Sequence, residues 1–218
     1  MGDLADGGWN AHALDPRGRR WGCLLARWED PRPERFGGRL PADPPHRWTD
    51  HPSSGMAFRT PPVLVTFSPD GTWVAASDGR EIGIWQVSTG ARRPPVRSTT
   101  GMAIEALALS DGGEWLAVAE RGLPGTWIAL YATATGQPVA RWPAGSEAVL
   151  RLTFGPGNTW LASGTGDGGI RIWRVPDGAL LQSLNGHTDA IVALKLSPDG
   201  QTLASGSIDG TVRLWSLR

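Results

Sequence analysis

The sequence predicts an all-β fold: one four-stranded unit written four times, with an irregular N-terminal segment ahead of it. Three observations predict it. The first is a turn-bearing stretch that recurs as "FSPDGTWVAAS" from Phe67, "LSDGGEWLAVA" from Leu109, "FGPGNTWLASG" from Phe154 and "LSPDGQTLASG" from Leu196, at spacings of 42, 45 and 42 residues. The second is an apolar run closed by an aromatic residue: "IGIW" ends at Trp85, "IALY" at Tyr131, "IRIW" at Trp173 and "VRLW" at Trp215. The third is a glycine five residues past that aromatic, at Gly90, Gly136 and Gly178. Self-similarity at such a period marks stacked supersecondary units.

The elements of a unit follow in order. "VLVTF", "IEALALS", "VLRLTF" and "IVALKLS" are apolar or alternate every second residue, as half-buried strands do. A turn of Pro-Asp-Gly type then reverses the chain, because proline fixes φ and glycine accepts the positive φ required. "TWLASG" and its equivalents form the second strand. A short Asp-Gly turn ("GDGG" at 166–169, "IDGT" at 208–211) leads into the third strand, which ends on the aromatic residue. The glycine-marked turn opens a fourth strand, seen in "GQPVARW" and "GALLQSL". Four antiparallel strands at this period make a propeller blade. The blades are expected at approximately 60–100, 101–143, 144–185 and 186–218, after a segment 1–59 rich in Pro, Gly and Arg.

The unit from Gly186 to Trp215 resembles a near-consensus repeat of the WD-repeat (WD40) β-propeller family. It carries the Gly186-His187 pair, the Ser-Pro-Asp-Gly turn, the "LASGS" strand, the Asp209 turn and the closing Trp215. The third unit has "PAGSE" where Gly-His would stand, and the second has Tyr131 for Trp and a longer "ERGLPGTW" turn. The resemblance spans roughly Thr60 to Arg218 and is that of a bacterial WD-repeat protein or the C-terminal part of one. It implies a structural hydrogen-bonded tetrad in the last blade, His187, Ser205, Asp209 and Trp215. It implies a partial tetrad in the third, Ser163, Asp167 and Trp173, with Trp85 and Tyr131 as blade-closing aromatics. A second family with "SPDG" turns, the TolB-like propellers, lacks the closing Trp and the Gly-His pair.

Composition narrows the function. Lys and Arg number 21 and so do Asp and Glu, so the chain lacks the basic excess of a nucleic-acid or anionic-membrane binder. Cys23 is the single cysteine, which forbids an internal disulfide and suits a reducing, cytoplasmic compartment. The opening "MGDLADGGWN" has neither the basic nor the apolar region of a signal peptide. His12, His46, His51 and Cys23 match no metal-ligand spacing, and no phosphate-cradling glycine motif occurs, so neither metal nor cofactor is expected. His187, Ser205 and Asp209 invite a nucleophile reading, but they belong to a repeated motif and nothing supplies an oxyanion hole, so no catalytic site is expected. Trp73, Trp115 and Trp160 share one blade position, as either an aromatic binding ring or repeated packing at the start of the second strand; packing is the expectation.

A non-catalytic protein–protein interaction scaffold or sensor module is therefore expected. The alternative is a propeller accessory domain of a hydrolase or signalling enzyme. The loops that vary most between units, Asp78–Glu81, Glu120–Trp127, Ala144–Glu147 and Asn185–Asp189, are the candidates for specificity. Four blades fall short of the family's rings of about seven, which leaves an apolar blade face at each end. Three resolutions present themselves: a homodimer completing an eight-bladed ring, degenerate blades within the N-terminal segment, or a tail of a larger WD protein. Segments 19–30 and 44–48 are candidates for the last blade's missing outer strand.

Overall fold

The computed structural model describes residues 63–216 apart from 99, 100 and 102. Segments 19–30 and 44–48, His12, Cys23, His46 and His51 lie outside the described residues.

Four small antiparallel sheets follow one another along the chain as blades of a β-propeller. The first holds β1 (Leu64–Phe67), β2 (Trp73–Ser77), β3 (Glu81–Gln86) and β4 (Val96–Arg97). The second holds β5 (Ala103–Leu109), β6 (Trp115–Arg121), β7 (Thr126–Ala132) and β8 (Gln137–Gly145). The third holds β9 (Val149–Phe154), β10 (Trp160–Thr165), β11 (Ile170–Arg174) and β12 (Leu180–Leu184). The fourth holds β13 (Ile191–Leu196), β14 (Thr202–Ser207) and β15 (Val212–Ser216), and among the described residues it stays three-stranded. The short outer strand of the first blade has a local cause. Pairing runs from Trp85 opposite Arg92 to an amide bond from Arg93 to Ile84, and Pro94 and Pro95 then offer no N–H. It resumes at Val96 opposite Ile82.

The turn between the first two strands of a blade builds itself. In the first blade Ser68 bonds Asp70 at 2.5 Å and accepts the Trp73 amide at 3.0 Å, while Asp70 accepts the Thr72 amide and hydroxyl. The fourth repeats this: Ser197 bonds Asp199 at 2.5 Å and accepts the Thr202 amide at 2.9 Å. Gly71 and Gly200 close these turns at φ of 70° and 71°, where a side chain would be strained.

The blades stack through three apolar seams, each joining the third strand of one blade to the first two strands of the next. Ile82 and Ile84 meet Leu109, Leu116 and Val118; Ile128 and Leu130 meet Leu152, Phe154 and Leu161; Ile170 and Ile172 meet Ile191, Leu194 and Leu203. Polar clamps cross the same seams. Arg93 donates to the Gly113 carbonyl and Thr133 hydroxyl and lies 3.5 Å over the Trp73 ring. Asn158 exchanges two hydrogen bonds with the Asp111 backbone, at 2.9 and 3.1 Å, and Arg151 donates to the Val192 carbonyl at 2.7 Å. No helix among the described residues is long and apolar enough to cross a membrane.

Candidate functional site

Antiparallel pairing sorts the connections to two ends. The serine-bearing first turns gather at one, where the ends of all four inner strands surround a cavity of about 840 Å³. Asp70, Asp111 and Asp199 line it against the single cation Lys195, with Phe67 and Phe154 as its aromatic wall. Serine hydroxyls hold Asp70 and Asp199 below the usual carboxylate range, with Thr72 adding to the first and the Gln201 amide to the second. The turns between second and third strands, together with the connections between blades, occupy the opposite end. There the β10–β11 turn lies against the connection into the fourth blade: a Cβ on Gly168 would come within 2.7 Å of the His187 carbonyl oxygen.

The fourth blade brings His187, Ser205, Asp209 and Trp215 into one chain of hydrogen bonds. His187 Nδ1 lies 2.8 Å from Asp209 Oδ2, His187 Nε2 lies 2.8 Å from Ser205 Oγ, and the Trp215 indole N–H donates to Ser205 Oγ at 2.9 Å. A carboxylate accepts at Nδ1, so that nitrogen carries the proton and Nε2 accepts from the Ser205 hydroxyl. Register places the chain: Leu203 stands opposite Trp215, and Ser205 follows two residues on along the same face. Asp209 is reached from its turn, where the Thr211 hydroxyl donates at 2.6 Å and the Thr188 and Thr211 amides at 3.1 and 2.8 Å.

The third blade keeps part of this set. The Trp173 indole donates to Ser163 Oγ at 2.8 Å, and Ser163 in turn meets the Arg171 carbonyl at 3.4 Å. Asp167 serves its own turn, bonded by the Thr165 hydroxyl and the Gly169 amide. The Thr165 hydroxyl holds its carboxyl low, helped by the Gly169 amide and the Arg171 charge.

The second blade solves the same problem with other residues. Val118 stands where the third and fourth blades have serine, so no hydroxyl faces the aromatic position. Tyr131 fills that position and its longer reach carries the phenol O–H to Glu120 Oε1, at 3.1 Å. Glu120 is fully buried and lies 3.7 Å from the Arg141 guanidinium, which covers the Trp127 ring at 4.3 Å. Sequence analysis placed Tyr131 but put Glu120 at the start of a variable loop, whereas it lies buried within β6; the signal was a carboxylate inside the apolar run "WLAVAER". In the first blade Trp85 is buried against Val74 and Ala76 with Arg92 at 5.5 Å from its ring. Its six-membered ring covers Gly83, where a Cβ would approach within 2.0 Å. Trp73, Trp115 and Trp160 each open the second strand half-buried; Trp73 covers Gly113 and Trp160 covers Gly155, so both act as packing.

Two expectations follow. Ser205→Ala removes the partner of both the His187 ring and the Trp215 indole, in a place where Ser205 is 1% exposed. It should cost about 1–3 kcal/mol, the usual penalty for stranding buried polar groups. Urea denaturation checks this, and an unmoved midpoint would show the chain of bonds to be idle. The second concerns acid. The Thr211 hydroxyl foremost, then His187 and the two amides, hold Asp209 well below the ordinary carboxylate range against an opposing effect of burial. The stabilisation is therefore full above the unfolded carboxyl's pKa of about 3.9 and is lost as pH falls toward the depressed folded value. Asp209→Asn should flatten the loss of stability between about pH 5 and about pH 3. A variant whose acid limb runs parallel to that of the wild type would contradict this assignment.

The fold and these repeated sites define a propeller of WD type. The WD domain, G-beta repeat family model matches residues 61–86, 136–174 and 178–216, and the chain belongs to that family. Among solved structures it is similar to U3-55K and to the WD40 repeats of RRP9, each with a TM-score of 0.63 and 23% identity over 74% of this chain. It spans about half of those chains, 50% of the first and 49% of the second. It is also similar to the computationally designed protein Ika4, with a TM-score of 0.60 and 22% identity over 75% of this chain and 95% of that one. A comparison with curated proteins finds no match.

Proposed function

We propose that this chain is a non-catalytic scaffold, a cytoplasmic module whose four blades hold an array of loops for a protein or peptide partner. The observation that carries the reading is the use made of Ser205, His187 and Asp209. The hydroxyl that would have to attack is buried and already holds an indole N–H and an imidazole, so the set maintains the sheet. Clamped seams keep the frame rigid, which suits sequence variation in the loops above it.

The partner docks on the exposed residues of the loops Asp78–Glu81, Glu120–Trp127, Ala144–Glu147 and Asn185–Asp189, of which Glu120 and Ala144 are themselves buried beneath that surface. There the longest of these turns raises Leu123, 95% exposed, above the second blade. An apolar tip of this kind, flanked by Arg121 and its partner Glu105 at 3.4 Å, gives a binding surface an anchor with a polar border. Affinity capture with the wild-type chain and with Leu123→Asp tests the reading. Partners retained by the first and lost by the second support it, as does the absence of turnover across a panel of ester, peptide and phosphate substrates. Turnover abolished by Ser205→Ala would replace the scaffold with an enzyme.

A further inference from the structure

We propose that the two end faces of this chain are the two halves of one further blade-to-blade seam, and that a second copy supplies the complement. Two copies joined head to tail then close a ring of eight blades. The proposal concerns the frame and stands or falls independently of what docks on the loops.

The three seams inside the chain share one grammar. The third strand of each blade offers a pair of branched apolar residues, Ile82 with Ile84, Ile128 with Leu130, Ile170 with Ile172. The inner strand of the next blade receives them with Leu107 and Leu109, Leu152 and Phe154, or Leu194 and Leu196. The same two halves recur at the ends without each other. On β15 the offering pair is Val212 and Leu214, 75% and 72% exposed, over Ala204 of β14. On β1 the receiving pair is Val65 and Phe67, 62% and 58% exposed, over the buried Val74, Ala76 and Trp85.

Register makes this a structural equivalence as well as a likeness of residue type. Leu214 stands opposite Ala204 as Ile172 stands opposite Ala162 and Leu130 opposite Ala117. Phe67 stands opposite Val74 as Phe154 stands opposite Leu161 and Leu109 opposite Leu116. The β1 face keeps the seam's composition, and the β15 face keeps it at Val212, Leu214 and Ala204 with one departure: the exposed Lys195 stands opposite Ala204, where the second blade has Ala108 and the third Thr153. Among the described residues both faces are open at once, so the first and last blades do not cover each other.

Because the two halves differ, each contact joins unlike faces, the β15 face of one copy to the β1 face of the other. Two copies related by a twofold axis make two such contacts and leave neither half over, which closes the assembly. The occupant is a second copy because the matching half of each end face is the other end of this same chain.

The test uses the full chain. Sedimentation at micromolar concentration should give twice the chain's mass. Leu214→Glu alone and Val65→Glu alone should each run at the single-chain mass with an unchanged circular dichroism spectrum, since both side chains are exposed in the single chain. An equimolar mixture of the two should regain the double mass. One contact then meets two altered faces, while the other joins the untouched β15 face of one copy to the untouched β1 face of the other. Val212→Glu and Phe67→Glu give the same reading should either first variant misfold. Several results overturn the proposal: a folded wild-type single chain, open polymers, a dimer that survives these substitutions, or variants that stay apart on mixing. The first would show the faces covered from within the chain, a surviving dimer would show like faces pairing or another interface, and the last would show that the untouched β15 and β1 faces do not bind each other.

Discussion

Leu130→Ala is expected to lower folding stability by about 2–5 kcal/mol, the range for deleting a fully buried leucine whose surroundings cannot collapse. Leu130 is fully buried in the seam between the second and third blades, against Phe154, Leu161 and Trp173. The seam is formed by two pleated sheets whose backbones are fixed by their own ladders, so neither closes readily on the cavity. Against a typical domain stability of about 5–15 kcal/mol the loss is large. Leu214→Ala removes the same side chain from the equivalent place on β15, yet there it is mostly exposed. In chains dilute enough to be single, it should change stability by about 0.5 kcal/mol or less. Urea denaturation of both variants side by side, with the slope checked for constancy, makes the comparison. Equal costs would mean that blade stacking does not determine stability and would remove the basis of the seam argument.

The contrast between those two leucines also shows how much the sequence discloses. Strand order, turn positions and the aromatic that closes each blade are legible because they repeat: four copies of one pattern average out local noise. The His187 chain is legible for another reason: repetition does not show it, since the Gly-His pair stands in one unit only, and the resemblance of that unit to the family's consensus repeat implies it. What repetition cannot disclose is the way one copy departs from the others. With Val118 in place of serine, the partner of Tyr131 is decided by how far a phenol reaches beyond an indole, and that selects Glu120. The clamps are invisible for a different reason. Arg93 meets residues 20 and 40 positions away, at Gly113 and Thr133, and only the stacking of two blades brings them together. The truncated β4 lies between these cases: Pro94 and Pro95 are plain in the sequence, but their effect depends on which amides the ladder needs.

Trp173→Ala is the second large effect expected, about 3–5 kcal/mol. Trp173 closes the third blade and belongs to the same seam as Leu130. Its ring lies 6.4 Å from that of Trp142 at a tilt of 46°, and its indole N–H is held by Ser163 in a buried bond of 2.8 Å. The residue thus couples three things: the β10–β11 ladder, the outer strand β8 of the neighbouring blade, and the polar atom buried beneath them. Trp173→Phe separates the contributions. It retains most of the ring volume against Trp142 and Leu161 and deletes only the donor, while Ser163 keeps the Arg171 carbonyl as a partner. The phenylalanine variant should therefore lose about 1–2 kcal/mol, the scale of one buried hydrogen bond with some loss of fit. A difference of about 2 kcal/mol or more between the two variants identifies aromatic burial as the main contribution of the blade-closing residue. If the two cost the same, the hydrogen bond carries the position, and the second blade's exchange of tryptophan for tyrosine, with its own bond to Glu120, would be the conserving change.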